Sequence, residues 1–163
     1  MIEIAPAGPD DLPGIRAIYN HAILTSAATF DVEPRTEAAQ RDWFEGHDAQ
    51  HPVIVARHAG EVVGWASLNV FVGRCAYAKT VEDSVYVAEA WRGKGVGRRL
   101  LARLTELARE LGHHSVVARI ADHSSVSIGL HRALGFAEAG VLRQAGRKFD
   151  RWIDVTLMQL MLE

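Results

Sequence analysis

The residues of this chain best suited to chemistry form the run Arg92-Gly93-Lys94-Gly95-Val96-Gly97. It lies between a strand-like apolar run, Val81–Val87, and a strongly helical one, Val96–Leu111. A strand that turns through glycines into a helix start is a place to hold phosphate. Without Cβ atoms the backbone can close around an oxyanion. The free N–H groups of the first helical turn then point at it, with the positive end of the helix dipole behind them. Spacing separates this loop from two others. A nucleoside-triphosphate loop ends in Gly-Lys-Ser/Thr, whereas Gly97 is followed by Arg98. A dinucleotide fingerprint runs G-x-G-x-x-G with an acidic residue about 20 positions later. Here the glycines are spaced G-x-G-x-G, and Ser115, Val116 and Val117 fill that later region. Taken alone, the glycines suit a helix start with no ligand equally well, so the surrounding segments must decide.

A second candidate is the carboxylate of Glu82. On a strand, Glu82, Ser84 and Tyr86 share one face, and Val81, Asp83, Val85 and Val87 share the other. A carboxylate on a sheet face that is partly desolvated has a raised pKa and is a better base. The alternative is an ordinary solvated or salt-bridged glutamate. Asp83, on the apolar face, calls for a partner, and an ion pair is expected. The eight histidines include His47 and His51 at helical spacing, but Gly46 and Pro52 flank them, so no metal site is expected. The single cysteine, Cys75, can form no internal disulfide, suits a reducing compartment and reads as a packing residue.

The elements that must position these groups follow from the periodicity. Strands are predicted at Ile2–Ala5, Val53–Arg57, Val62–Val70, Ala76–Val87, Ser115–Ile120, Phe136–Leu142 and Trp152–Met161. Helices are predicted from Asp10 or Asp11 through Ala22, from Thr36 to Gly46, over Val96–Leu111 and over Ser124–Leu134. The order β-α-α-β-β-β-α-β-α-β-β predicts an α/β fold (α+β), a mixed sheet with helices on both faces. At 163 residues one domain, 1–163, is expected, long enough for a sizeable core. Apolar residues at 48% and charged residues at 23% fit a globular protein, and the net charge of −2 argues against a nucleic-acid partner. No basic start precedes an apolar core, and no apolar run approaches the roughly 20 residues that span a bilayer. Neither a leader nor a membrane partner is therefore expected, and the cytoplasm is the default.

Two segments together carry a resemblance. Arg92-x-x-Gly95-x-Gly97 has the form of the acyl-CoA pyrophosphate loop of the GCN5-related N-acetyltransferases (GNAT). Ser127-Ile128-Gly129-Leu130-His131-Arg132-Ala133-Leu134-Gly135-Phe136 resembles that family's second cofactor segment, a helix ending in Gly-Phe. Ile18–His21, Ala28–Pro34, Thr80–Val87 and Lys148–Val155 are similar to the phosphinothricin / methionine sulfoximine acetyltransferase branch, and these stretches cover nearly the whole chain.

The resemblance implies the GNAT acyl-CoA acyltransferase fold, with a mostly antiparallel sheet whose fourth and fifth strands splay to admit the pantetheine arm of acetyl-CoA. Val85, Tyr86 and Val87 would pair with that arm through their backbone and polarise the thioester carbonyl. Arg92, Gly93, Lys94, Gly95, Val96 and Gly97 would hold the pyrophosphate. Arg98 and Arg99 would screen the other phosphate or form a solvated basic face. Ser124 and Ser127 belong to the second cofactor segment. Ser124 stands where the family often has an asparagine, and its hydroxyl reaches less far. Glu82 aligns with the family's general base. His131 takes the position of a tyrosine that protonates the departing thiolate, or else it packs a short helix. Phe30, Arg74, Tyr77, Glu82 and Lys148 fall in the acceptor segments, an arginine fork suiting a carboxylate or phosphinate. Asp150 replaces a glycine common there.

The expected activity is acetyl transfer from acetyl-CoA to the α-amine of a small amino acid or analogue, by direct attack in a ternary complex and without a metal. A cytoplasmic homodimer is expected, with the acceptor site close to its interface. Two alternatives stay open: a same-fold enzyme acting on peptide N-termini or polyamines, and a non-catalytic acyl-CoA-binding module.

Overall fold

Eleven principal elements follow one another: β1 (Ile2–Pro6), α1 (Leu12–Thr25), α2 (Glu37–Glu45), β2 (Val53–His58), β3 (Glu61–Val70), β4 (Thr80–Val87), α3 (Val96–Glu110), β5 (Ser115–Ala121), α4 (Ser125–Ala133), β6 (Ala137–Lys148) and β7 (Arg151–Met161). They come from a computed structural model that describes residues 1–163. The seven strands form one sheet in the order β1-β2-β3-β4-β5-β7-β6. Every neighbouring pair is antiparallel except β4 and β5, which run parallel. This is the mixed, mostly antiparallel sheet expected from the sequence.

Helices cover both faces. The apolar stripe of α3, with Leu100, Leu101, Leu104 and Ala108 buried, packs on Leu68, Val81, Val116, Ala118 and Met158 of the sheet. On the other face Ile15, Ile18, Tyr19 and Ile23 of α1 meet Val53, Val55 and Trp65. The two layers explain the burial of both faces of β2 and β3, whose residues read as nearly continuous apolar runs.

Several local expectations change. Cys75–Tyr77 is a short 3-10 turn, so β4 starts at Thr80 rather than Ala76. Asp11 precedes α1 without capping it, because its carboxylate is taken by Arg57 of β2 and the Gly8 N–H. Thr36 does cap α2, accepting from the Ala39 N–H at 3.1 Å. The closing hairpin is longer than its apolar pattern suggested. β6 runs on to Lys148 past irregularities in register at Glu138/Gly140 and Leu142/Gly146, and as an edge strand it is mostly exposed.

Candidate active site

The feature that organises the site is the parting of β4 and β5. Their parallel pairing covers only Thr80 with Ser115, Val81 with Val116 and Glu82 with Val117. Beyond that point β5 stays paired with β7 as far as Ala121, while β4 stays paired with β3 as far as Val87. The β5-facing edge of Asp83–Val87 therefore has no strand beside it. An unpaired strand edge offers a row of backbone donors and acceptors to an extended ligand.

At the wide end of this gap lies the glycine loop. Arg92 donates from Nε to the Val87 carbonyl at 3.2 Å, which ties the loop to the end of β4. Gly93 (φ 71°) and Gly95 (φ 81°) both take the left-handed region that glycine adopts at least cost. Gly95 is the N-cap of α3, and no side chain caps that end. The first-turn N–H groups are thus left for a ligand. Arg92, Lys94 and Arg98 are exposed around it, with Lys94 resting 4.9 Å from the centroid of the Trp91 ring. The donor set, the uncapped dipole and the absence of Cβ atoms fit a pyrophosphate. Arg99 is committed elsewhere, donating to the Ile2 carbonyl of β1 at 2.9 Å.

At the narrow end stands Glu82. Its side chain is 23% exposed, and its one ionic partner is Arg119 of β5, with Nε 3.4 Å from Oε2. Burial pushes the Glu82 pKa up. The Arg119 charge pulls it back and the Asp83 charge pushes it further, for a net rise. A half-buried carboxylate at the start of an open strand edge is suited to take a proton from a nucleophile there. On the same sheet face, Asn69 of β3 donates to the Glu82 carbonyl at 3.2 Å and to Ser84 Oγ at 3.0 Å. His47, at the end of α2, meets Asn69 Oδ1 at 3.0 Å through Nε2 and the Trp43 carbonyl at 2.8 Å through Nδ1. Arg119 and Asn69 were not singled out in the sequence, and His47 was weighed there only as a metal ligand. The strand parity of β5 could have found Arg119, a lone charge in an apolar run; nothing local marks the other two.

The loop joining α1 and α2 forms a wall. Lys148 donates to the carbonyls of Ser26 and Thr29, both at 2.8 Å, and Tyr86 donates to the Ala28 carbonyl at 3.1 Å. Tyr19 bonds Thr29 and Asp31. Phe30 lies on the closing hairpin so tightly that a Cβ at Gly146 would fall on its ring. Lys148 is only 5% exposed, and its ammonium holds two carbonyls, which anchors this loop.

His131 is buried between α4 and β4. It is 4% exposed; Nδ1 faces the Ser127 carbonyl at 2.7 Å and Nε2 faces Asp83 Oδ2 at 2.8 Å. Two acceptors call for two N–H groups, which is the charged ring. Burial opposes that charge, but the bond and charge of Asp83 and the Ser127 carbonyl outweigh it, and the pKa is raised. The pair fastens α4 to β4, and it is the partner that Asp83 needed. With both nitrogens held, His131 has no free N–H for a leaving thiolate. Ser124 accepts from the Ser127 N–H at 3.3 Å as the N-cap of α4.

Arg74 and Tyr77 are exposed and line a cleft of about 430 Å³ with Asp48, His51 and Lys79; Glu82 is not among its lining residues. The link to Glu82 is indirect. Tyr77 packs edge-on to Phe71 at 5.7 Å, and the Arg119 guanidinium sits 5.4 Å from the same Phe71 ring.

A strand gap with an uncapped glycine loop at one end and a half-buried carboxylate at the other fits an acyl-CoA-dependent acyltransferase. The comparisons agree. Residues 15–136 match the acetyltransferase (GNAT) family. The L-methionine sulfoximine/L-methionine sulfone acetyltransferase of Pseudomonas paraeruginosa is 46% identical over 98% of this chain and 94% of its own. The phosphinothricin N-acetyltransferase of Alcaligenes faecalis is 44% identical over 92% of this chain and 77% of its own. Among solved structures, the GNAT superfamily phosphinothricin acetyltransferase of Sinorhizobium meliloti in complex with acetyl-CoA superposes with a TM-score of 0.96 at 36% identity. That match covers 99% of this chain and 88% of that one. The chain belongs to the GNAT family and is an acetyl-CoA-dependent N-acetyltransferase.

Proposed function

We propose that this enzyme acetylates the α-amine of a small amino acid whose side chain ends in a tetrahedral sulfur or phosphorus centre. Methionine sulfoximine, methionine sulfone and phosphinothricin are the type. The observation that carries the reading is Glu82, half-buried where β4 and β5 part, with a cation beside it. The named substrates of the relatives support the acceptor class. Acetyl-CoA supplies the activated thioester.

Each group then has a task. Arg92–Gly97 and Arg98 hold the phosphates, and Ser127 borders the cofactor from α4. The backbone of Val85, Tyr86 and Val87 aligns the pantetheine arm and polarises the thioester carbonyl. Glu82 takes the proton from the acceptor amine. The nitrogen bonds to the acetyl carbon as the carbon–sulfur bond breaks, and the sulfur leaves as a thiolate. Phe30 walls the acceptor, with Arg74 and Tyr77 at its far side. His131 and Lys148 position α4 and the α1–α2 loop.

Residues 1–163 work as one acetyltransferase unit in the cytoplasm, where acetyl-CoA is available. A homodimer is part of the reading, supported by the exposed apolar side chains of Leu24, Val32, Phe149 and Trp152 around the closing hairpin. Sedimentation should give twice the chain mass.

The deciding assay follows CoA release with methionine sulfoximine, methionine sulfone, phosphinothricin, ordinary amino acids, polyamines and peptides. Saturable turnover restricted to the first three is expected. Preference for peptides or polyamines would replace the acceptor class, and tight acetyl-CoA binding without any turnover would make the protein a binding module.

A further inference from the structure

Arg119 is placed as a recognition group. It lies two positions beyond Val117, the last β5 residue in register with β4. Val116, Ala118 and Ile120 point into the core, so Arg119 projects on the opposite face, the face that carries Glu82. Its side chain is 46% exposed against 23% for Glu82, so the fork opens outward while the base lies deeper. Their closest approach is Nε to Oε2 at 3.4 Å. Phe71 lies 5.4 Å from the guanidinium on another side. The charge beside Arg119 is that of Glu82.

A half-exposed ion pair whose closest approach is 3.4 Å contributes little to stability. A guanidinium fork matches a carboxylate with two parallel hydrogen bonds, which the contact to Glu82 does not use. The α-amine and α-carboxylate of an amino acid hang on the same carbon. When the amine lies at Glu82, the carboxylate falls beside it, and Arg119 is the cation at that place.

We infer that Arg119 is the carboxylate fork of the acceptor site, selecting α-amino acids over other amines and exchanging its contact with Glu82 for one with the acceptor. The inference rests on the proposed acceptor class and deepens it. It also assigns an order. In the empty site the cation holds the base as an ion pair, and the incoming carboxylate draws the cation away and leaves Glu82 free to accept the amine proton.

The test compares methionine sulfone with its primary carboxamide, which keeps the α-amine and loses the negative charge, in wild type, Arg119→Gln and Arg119→Lys. Arg119→Gln should lower kcat/KM for the acid about 10- to 100-fold, the loss expected for a charge-assisted hydrogen bond. The loss should fall mainly in KM and be much larger for the acid than for the amide, whose value shifts only through the charge removed from beside Glu82. The acid-to-amide preference then collapses, Arg119→Lys lies between, and KM for acetyl-CoA is unchanged. A preference that survives in Arg119→Gln overturns the inference. So does an equal loss for both substrates, which would make Arg119 only a partner of Glu82. Thermal melts of both variants check folding. A wild type that acetylates neither compound but accepts peptides or polyamines would overturn the acceptor class instead, which separates the two failures.

Discussion

At the wide end of the gap between β4 and β5, the groups offered to a ligand are mostly backbone: the open edge of Asp83–Val87 and the uncapped N-terminus of α3 behind Gly95. At the narrow end they are side chains from separate elements: Glu82 from β4, Arg119 from β5, and Phe71 and Asn69 from the β3 side. The first end depends on conformation, since any residue brings an N–H and only φ decides where it points. The second depends on identity, since charge and length must match across the gap. Substitutions should therefore act differently at the two ends. One end should respond through backbone strain and cofactor affinity, the other through proton transfer and acceptor affinity.

The largest expected effect is at the narrow end. Glu82→Gln should lower kcat about 10²- to 10⁴-fold, the usual contribution of a positioned base, with KM for acetyl-CoA unchanged. The pH profile gives a second reading. A base works only when unprotonated, so the rate falls as pH drops through the Glu82 pKa. Because burial raises that value, the acid limb lies above the ordinary glutamate range. In Glu82→Gln the limb should vanish along with the rate. An intact limb would move the base elsewhere in the site.

Next comes the strut between the ends. Asp83→Asn removes the negative charge of a buried pair, so His131 turns neutral, donating from Nδ1 to the Ser127 carbonyl and accepting at Nε2 from the introduced amide. The expected cost is about 2 kcal/mol, the loss of a charge-assisted hydrogen bond, or roughly 4–8 °C in Tm for a chain of this size. The sign with pH is fixed by the raised pKa of His131. Its contribution is full below the ordinary histidine value of 6.5 and is lost as pH rises through the higher folded value. Melts from acid to alkaline pH should show this decline in the wild type and a flatter profile in Asp83→Asn. Equal slopes would mean that the pair does not carry the charge assigned to it.

The same contrast explains what the sequence disclosed. The glycine loop was legible because its requirements are local: glycines at fixed offsets between a strand and a helix. The sheet was legible because its strands are apolar runs with turn residues between them. The departures lie where the partner is distant. Asp83 and His131 are 48 positions apart, and Lys148 reaches Ser26 across 122, so each was read without the group that occupies it. Asp150 shows an intermediate case. Phe149 and Asp150 form the β6–β7 turn with φ of 52° and 57°. Both central residues of such a hairpin favour Asn or Gly, so the local signal was weak and the turn is held by the long pairing on either side.

The smallest effect tests the wide end most directly. Gly95 has φ 81°, and a Cβ there would meet nothing within 4 Å, so Gly95→Ala brings conformational cost without a clash. A left-handed residue other than glycine costs roughly 1–2 kcal/mol, which corresponds to about a 5- to 30-fold change in an equilibrium. The loop should respond by giving up that geometry, so KM for acetyl-CoA rises within that range while kcat at saturation and acceptor KM hold. Gly95→Asn supplies the discriminating control. Asparagine is larger than alanine but tolerates the left-handed region better, so it should recover part of the loss if conformation is what the loop provides. If Gly95→Asn is worse than Gly95→Ala, side-chain volume against the phosphates governs that end, and the contrast between a backbone-built and a side-chain-built half fails there.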